Sequence, residues 1–249
     1  MAEGRARTHE IVLRRIEEDL AAGVVTLGQR LPGERSLAEQ IGVSRASVRE
    51  AIRVLEAMGI VRTAVGSGAD AGAVIVADPS MALASALRLH LATSHLLVGD
   101  IVDARVLLES WAVRLAAGSR DRGQFVDAER LLDAMDQPSL APDEFHRLDA
   151  EFHVELTRLA GNPVVAAVMT ALRESISGYV LAAVPHLPDW SRTARKLRRE
   201  HRAVLAAVRS GEGERAEVLL AAHIKGFART AGLATARRES SPPWSRPRD

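Results

Sequence analysis

Residues 31–59, LPGERSLAEQIGVSRASVREAIRVLEAMG, constrain the fold of this chain most, because two apolar patterns of helical period flank a glycine there. The apolar residues of the two patterns are Leu37, Ile41, Val48, Ile52 and Leu55. Gly42 lies where a tight turn must pass, and Ser44 is placed to cap the following helix. The segment therefore predicts two short helices joined by a turn.

Further patterns on both sides extend this unit. Upstream, Val12, Ile16 and Leu20 predict a helix that begins after Thr8 and ends at Gly23. Downstream, short apolar runs at residues 60–64 and 73–77 surround GSGADAG and predict a two-stranded wing. The order helix, helix, helix, wing is that of a winged helix-turn-helix domain, which we assign to residues 1–78.

The second helix of the pair carries arginines at every fourth position, Arg45, Arg49 and Arg53. A helix-turn-helix lays its second helix in the major groove and reads bases with its first turns. The pattern therefore predicts a protein that binds double-stranded DNA. The alternative is an ordinary helical hairpin whose arginines are solvated.

The segment LPGERSLAEQIGVSRASVREAIRVLEAMGIV resembles the signature of the GntR superfamily of bacterial transcription regulators. The resemblance implies that an operator is contacted by Arg35, Ser44, Arg45, Ser47 and Arg49. We expect Arg45 and Arg49 at or near bases, because a guanidinium can donate two hydrogen bonds to one guanine, at O6 and N7. We expect Ser44 and Ser47 at phosphates. The wing lacks the basic or aromatic tip common in the family, but Gly66 leaves a backbone N–H group free to approach a phosphate.

Composition limits the class of protein. The 249 residues, 47% of them hydrophobic, suffice for two domains with cores of their own. A net charge of +1 excludes a strongly basic chain that coats nucleic acid, so a DNA footprint must be local. With no cysteine, disulfides and thiolate metal sites are excluded. We expect a cytoplasmic protein without signal peptide, membrane partner or apolar run of membrane-spanning length.

Beyond residue 77 the apolar patterns are helical throughout. They predict an all-α bundle of six or seven helices over residues 79–234, so the fold class is mainly α. The expected helices are 81–92, 98–117, 121–135, 143–160, 164–184, 190–209 and 212–231, with Asp143 as the cap of the fourth. Residues 235–249 are polar and proline-rich and are expected to be disordered.

Four side chains of the predicted bundle form a candidate metal site. Asp149 and His153 are four residues apart and project from one helix face, while His201 and His223 lie on two later helices. A carboxylate and three imidazoles suffice to hold one divalent transition metal ion with positions left open. The alternatives are a buried polar network without metal, or a site in which His146 replaces one ligand.

The segments DAEFHVELTRLAGNP, REHRAVLAAV and AEVLLAAHI resemble the FCD effector-binding domain of the FadR subfamily of GntR regulators, over residues 81–233. The resemblance implies that Asp149, His153, His201 and His223 bind a divalent metal ion, zinc or nickel, whose coordination a small carboxylate effector completes. Arg105 is similar to the arginine that many members place near the effector carboxylate, and a guanidinium fork suits two oxygens. The alternative for Arg105 is a salt bridge to Glu109.

These expectations combine into a regulator and not an enzyme. A homodimer would place two winged helices on a palindromic operator, and the effector would change their separation. One alternative is a metal-free regulator that binds a fatty acyl-CoA or another bulky ligand. A second is a metalloenzyme with water at the open metal position, which is disfavoured because no glutamate is predicted beside the ligands and Glu151 falls on another helix face.

Overall fold

The computed structural model describes residues 8–64, 72–119, 123–137 and 139–233, and within them the chain is mainly helical. It divides into two compact units, Met1–Ala82 and Leu83–Asp249. The predicted wing tip with Gly66 and the predicted tail at 235–249 lie outside the described residues.

The first unit contains the predicted three helices and wing. Its elements are α1 (Thr8–Ala21), α2 (Glu34–Ile41), α3 (Arg45–Ala57), β1 (Val61–Ala64) and β2 (Gly72–Ile75). The strands pair antiparallel, with Val61 opposite Ile75. A third stretch that the sequence did not predict lies beside β2, where Leu31 N–H donates to Ala73 O over 2.8 Å and Gly28 N–H to Ile75 O over 2.9 Å.

The turn between α2 and α3 has the predicted geometry. Gly42 adopts a left-handed conformation, with φ at 76°, and its N–H donates to Ala38 O. Ser44 caps α3, because its Oγ accepts the backbone N–H of Ser47 over 3.1 Å. The buried core of this unit includes Val12, Ile16, Leu37, Val48 and Leu55. The apolar residues that define the helical pattern in the sequence therefore pack in the core of this unit.

The second unit is the predicted helical bundle. Its helices are α4 (Pro79–Ala92), α5 (Val98–Ala116), α6 (Val126–Met135), α7 (Pro142–Arg158), α8 (Pro163–Ala183), α9 (Trp190–Arg209) and α10 (Gly213–Thr230), of which α4 begins in the first unit. Helix α5 packs against α7, α8 and α10, and α10 also packs against α9. Apolar side chains of these helices form one continuous buried core.

Two predicted helix starts are wrong. Helix α7 begins at Pro142, which occupies the first helical position after Ala141, so Asp143 lies in the first turn and is not the cap. Proline suits that position because its missing N–H would have no helical partner. Helix α6 begins at Val126 and not at residue 121, because Gly123–Phe125 forms a single 3₁₀ turn before it.

The expectation that no apolar run reaches membrane-spanning length is also wrong. Pro163–His186, which is α8 and the 3₁₀ turn after it, is long and apolar enough to span a bilayer. However, 44% of its apolar stretch is buried inside the protein. A core helix has the same composition, so this stretch is weak evidence for a membrane span.

Candidate metal centre and nucleic-acid interface

The fold brings all four predicted ligands together. Asp149 and His153 project from α7, His201 from α9 and His223 from α10, and one ligand atom of each lies within 4.8 Å of the others. Three histidines are buried and Asp149 is nearly so. His146 is not among them, since its Nε2 lies 3.3 Å from Ser177 Oγ.

The imidazole nitrogens of this cluster face one another at short range. His153 Nε2 lies 3.2 Å from His223 Nε2, and His201 Nε2 lies 3.1 Å from His223 Nε2. His201 Nε2 also lies 3.1 Å from Asp149 Oδ1. Three rings from three helices therefore direct the same type of atom to one point.

Carboxylates hold the opposite nitrogens of two of these rings. Glu109 of α5 contacts His153 Nδ1, and Glu200 Oε2 lies 2.9 Å from His223 Nδ1. A carboxylate can only accept, so each ring donates from Nδ1. Burial lowers the pKa of His153 to about 3, which keeps that ring neutral. A neutral ring that donates from Nδ1 has a lone pair at Nε2, as a metal ligand requires.

The donor set fits a divalent transition metal ion. Two inward lone pairs only 3.2 Å apart, at His153 and His223, repel each other unless a cation or proton lies between them. Nitrogens about 2.0–2.1 Å from zinc lie roughly 2.8–3.4 Å apart in octahedral or tetrahedral coordination. The separations of 3.1 and 3.2 Å fall within this range.

Arg173 of α8 keeps the candidate ligand Asp149 ionised. Its Nη2 contacts Asp149 Oδ2 at hydrogen-bond distance. Burial alone would raise the pKa of Asp149, but the positive charge of Arg173 is the largest opposing influence, and this pKa lies well below its usual range. Arg173 is itself buried, and its Nε has no partner among the described residues. Sequence reasoning did not select Arg173, although a charged residue within the apolar α8 was a signal.

Arg105 makes the predicted salt bridge. Its Nε donates to Glu109 Oε1 over 2.9 Å, and both side chains are buried. Burial, with repulsion from Arg173, lowers the pKa of Arg105 to about 10, so the guanidinium remains charged near neutral pH. Arg105 also lines the cavity beside the metal cluster. The salt bridge and an effector contact are therefore compatible, and the effector contact stays a prediction.

The expectation that no glutamate lies beside the ligands is wrong. Glu200 directly precedes a ligand in the sequence, and the helix turns it toward His223. Glu109 lies 44 residues before His153, and only the packing of α5 against α7 brings the two together. Both glutamates contact Nδ1 of candidate ligand histidines.

A small cavity adjoins the cluster inside the helical unit. Its polar lining comprises Arg105, His146, Asp149, His153, Arg173 and His223. Its apolar lining includes Phe145, Trp190 and Phe227. The cavity volume is about 30 Å³, and roughly 10–15 Å³ accommodates one water molecule. A groove of about 390 Å³ between α7 and α8 shares His146 and Arg173 with it.

Four of the predicted DNA contacts, Ser44, Arg45, Ser47 and Arg49, lie at the start of α3, and Arg35 lies in α2. Arg45 is exposed, and Arg35 is 80% exposed beside Glu39. Arg49 is held by Glu34 of α2, with Nη2 2.9 Å from Oε2, so a base contact would require it to leave or share this partner. The contacts predicted for these arginines, and for Ser44 and Ser47, stay predictions.

Comparison with known proteins follows the division seen in the structure. Residues 8–70 match the model of the family described as bacterial regulatory proteins, gntR family, and residues 100–226 match that of the FCD domain. The chain is 29% identical over 214 residues to the Glc operon transcriptional activator of Escherichia coli K12, covering 84% of this chain and 82% of that protein.

Two further proteins are similar to this chain over most of its length. The HTH-type transcriptional repressor NanR of Cronobacter sakazakii is 29% identical over 225 residues, covering 88% of this chain and 84% of that protein. The solved structure of Streptococcus agalactiae GntR has a TM-score of 0.65 and 24% identity, and the match covers 90% of this chain and 99% of that one. At 24% identity, the similarity to this solved structure shows a shared fold and nothing further.

Proposed function

This chain belongs to the GntR family of bacterial regulatory proteins and carries an FCD domain, and from that premise we propose that a small carboxylate, bound beside a divalent metal ion, controls its affinity for an operator. Its family and relatives are DNA-binding transcription regulators and not enzymes. The residues that would hold the metal ion are Asp149, His153, His201 and His223. We assign the chain to the FadR subfamily.

The convergence of three imidazole Nε2 atoms on a buried carboxylate carries this proposal. Imidazole and carboxylate ligands suit zinc and nickel, which we propose as the metal ion. When bound, the metal ion supplies positive charge and an open coordination position for a carboxylate oxygen. Arg173, Glu109 and Glu200 hold Asp149, His153 and His223, respectively, in position for this role.

The cavity favours a small anionic effector. Two buried guanidinium groups, Arg105 and Arg173, line it, and each offers a fork to a carboxylate. The cavity itself, with a volume of about 30 Å³, is too small for a fatty acyl-CoA, and only the adjoining groove of about 390 Å³ is larger. The small-carboxylate proposal therefore has more support than the metal-free alternative.

A homodimer on a palindromic operator completes the proposal, with a DNA-binding domain at 1–78 and an effector domain at 79–234. Helix α5 exposes a stripe of three apolar side chains four residues apart, Leu107, Trp111 and Leu115, which are 72, 44 and 50% exposed. The stripe is symmetric about its tryptophan. It suits an antiparallel contact with a second copy about a two-fold axis, which matches operator symmetry. Such a regulator would act in the cytoplasm.

Thermal melting of the untagged protein, before and after chelation, tests the effector site. We expect chelation to lower the melting temperature, and small carboxylates to raise it only in the metal-loaded protein. Asp149→Ala should abolish the effect of chelation, whereas His146→Ala should retain it. The proposal would be refuted if chelation had no effect and an acyl-CoA stabilised the protein.

Operator binding by Arg45→Ala tests the DNA site. We expect this variant to lose specific operator binding, because the proposed base contact of its guanidinium is removed. Its metal content should equal that of the unaltered protein, because Arg45 belongs to the compact unit that does not contain the candidate ligands. Equal affinity of the unaltered protein for the operator and for scrambled DNA would contradict the proposed reading of bases.

A further inference from the structure

Glu109, in the middle of α5, is a fully buried carboxylate shared by two side chains of the candidate site. Its Oε1 accepts the Nε–H of Arg105 over 2.9 Å, and its Oε2 accepts the Nδ1–H of His153. Each oxygen of this one carboxylate therefore accepts from a different partner, so Glu109 links Arg105 and His153 directly.

The other end of Arg105 is available to a ligand. Arg105 lines the cavity beside Asp149 and Arg173. Within the described part of the chain, the Nη1 and Nη2 groups of Arg105 make no hydrogen bond, while its Nε is engaged by Glu109. One guanidinium thus has Glu109 on its Nε side and free donors for an anion on its terminal side.

We infer that Glu109 couples carboxylate binding at Arg105 to metal binding at His153, an inference that rests on the proposed function of the site. A carboxylate bound to the terminal amino groups of Arg105 shares the positive charge of that guanidinium with Glu109. Glu109 then accepts more strongly from His153 Nδ1–H, and His153 Nε2 becomes a better metal ligand. Because coupling between two binding sites is reciprocal, the metal ion raises carboxylate affinity by the same factor.

Glu200 provides a matched control within the same site. It accepts the Nδ1–H of His223 over 2.9 Å, as Glu109 does for His153. Its cationic neighbour at 3.7 Å is Lys196, and among the described residues no arginine pairs with it. Glu200 therefore orients a ligand histidine without a link to the side chain that would hold the effector.

The test measures the Ni²⁺ dissociation constant of the full-length untagged protein, by competition with a chromophoric chelator, with and without saturating acetate. Glu109→Gln and Glu200→Gln should each weaken Ni²⁺ binding, by about 10–100-fold at most. The ratio of the constants without and with acetate should decrease in Glu109→Gln, to the part that direct contact of the carboxylate with the metal ion supplies, and should keep the value of the unaltered protein in Glu200→Gln. A merely structural role of Glu109 would lower affinity without changing this ratio.

The outcomes separate the inference from the proposed function. If the unaltered protein binds Ni²⁺ and all three proteins share one acetate ratio, or if that ratio is one, the coupling inference is wrong. If the unaltered protein does not bind Ni²⁺, the proposed function fails and the inference fails with it. Should Glu109→Gln not fold, as judged by circular dichroism, Arg105→Gln replaces it, and a ratio equal to that of the unaltered protein would overturn the inference.

Discussion

Each histidine of the candidate site is defined by what its second nitrogen contacts. His153 and His223 donate from Nδ1 to a carboxylate, which leaves Nε2 for the cluster. His201 Nδ1 is buried without a hydrogen-bond partner among the described residues. An imidazole fixed by a carboxylate is a better-oriented and more basic ligand than an unsupported one. We therefore consider His201 the least restrained ring of the three.

His146 allows a prediction on acid sensitivity. Burial lowers its pKa from 6.5 to about 4, with repulsion from Arg173 adding to the effect. As the pH falls from 6.5 toward 4, His146 becomes protonated in the unfolded chain but stays neutral in the folded protein. The free energy of unfolding therefore decreases. After chelation, His146→Gln should lose less of this free energy between about pH 7 and pH 5 than the unaltered protein. Urea titrations at both pH values measure it, and equal losses would contradict the prediction.

Among the helices, α5 has two different functional sides. Arg105 and Glu109 are buried one turn apart and face the candidate metal centre. Leu107, Trp111 and Leu115 lie along an exposed stripe. One rigid helix thus joins the proposed effector site to the proposed contact with a second copy. A shift of α5 on effector binding would therefore change the dimer geometry if the effector binds the two arrangements with unequal affinity.

The cap of α3 gives a prediction for a single element. Ser44→Ala removes the acceptor of the Ser47 N–H, which should lower the free energy of unfolding of the first unit by about 1 kcal/mol. Ser47→Ala keeps that backbone donor and should leave stability nearly unchanged, although both serines are proposed phosphate contacts. Urea unfolding of the two variants compares them, and equal destabilisation would rule out a cap as the cause.

For the whole molecule, the proposed regulation requires two copies and a link between effector and DNA. A winged helix that reads a palindromic operator needs a second copy related by a two-fold axis. The apolar stripe on α5 is the self-complementary surface that we assign to this contact. The strength of operator binding then depends on the association of the two copies.

Substitution in the stripe tests this arrangement. Trp111→Asp should convert the dimer to a monomer, since a charge would be buried in the contact, and should weaken operator binding by roughly tenfold or more. Val126→Asp, at an even more exposed apolar residue on α6, should leave the dimer intact. Sedimentation velocity and operator titration measure both effects. A Trp111→Asp protein that remained dimeric would refute this interface.

The sequence alone determined the winged helix-turn-helix order, the helical bundle and the four candidate ligands, because these depend on local periodicity, turn chemistry and residue type. The cap at Ser44 and the turn at Gly42 were readable for the same reason. Only the tertiary structure showed that Glu109 and Arg173 adjoin the ligands and that Trp111 is exposed. Those contacts join residues from different helices, and no spacing along the chain encodes how α5, α7 and α8 pack against one another.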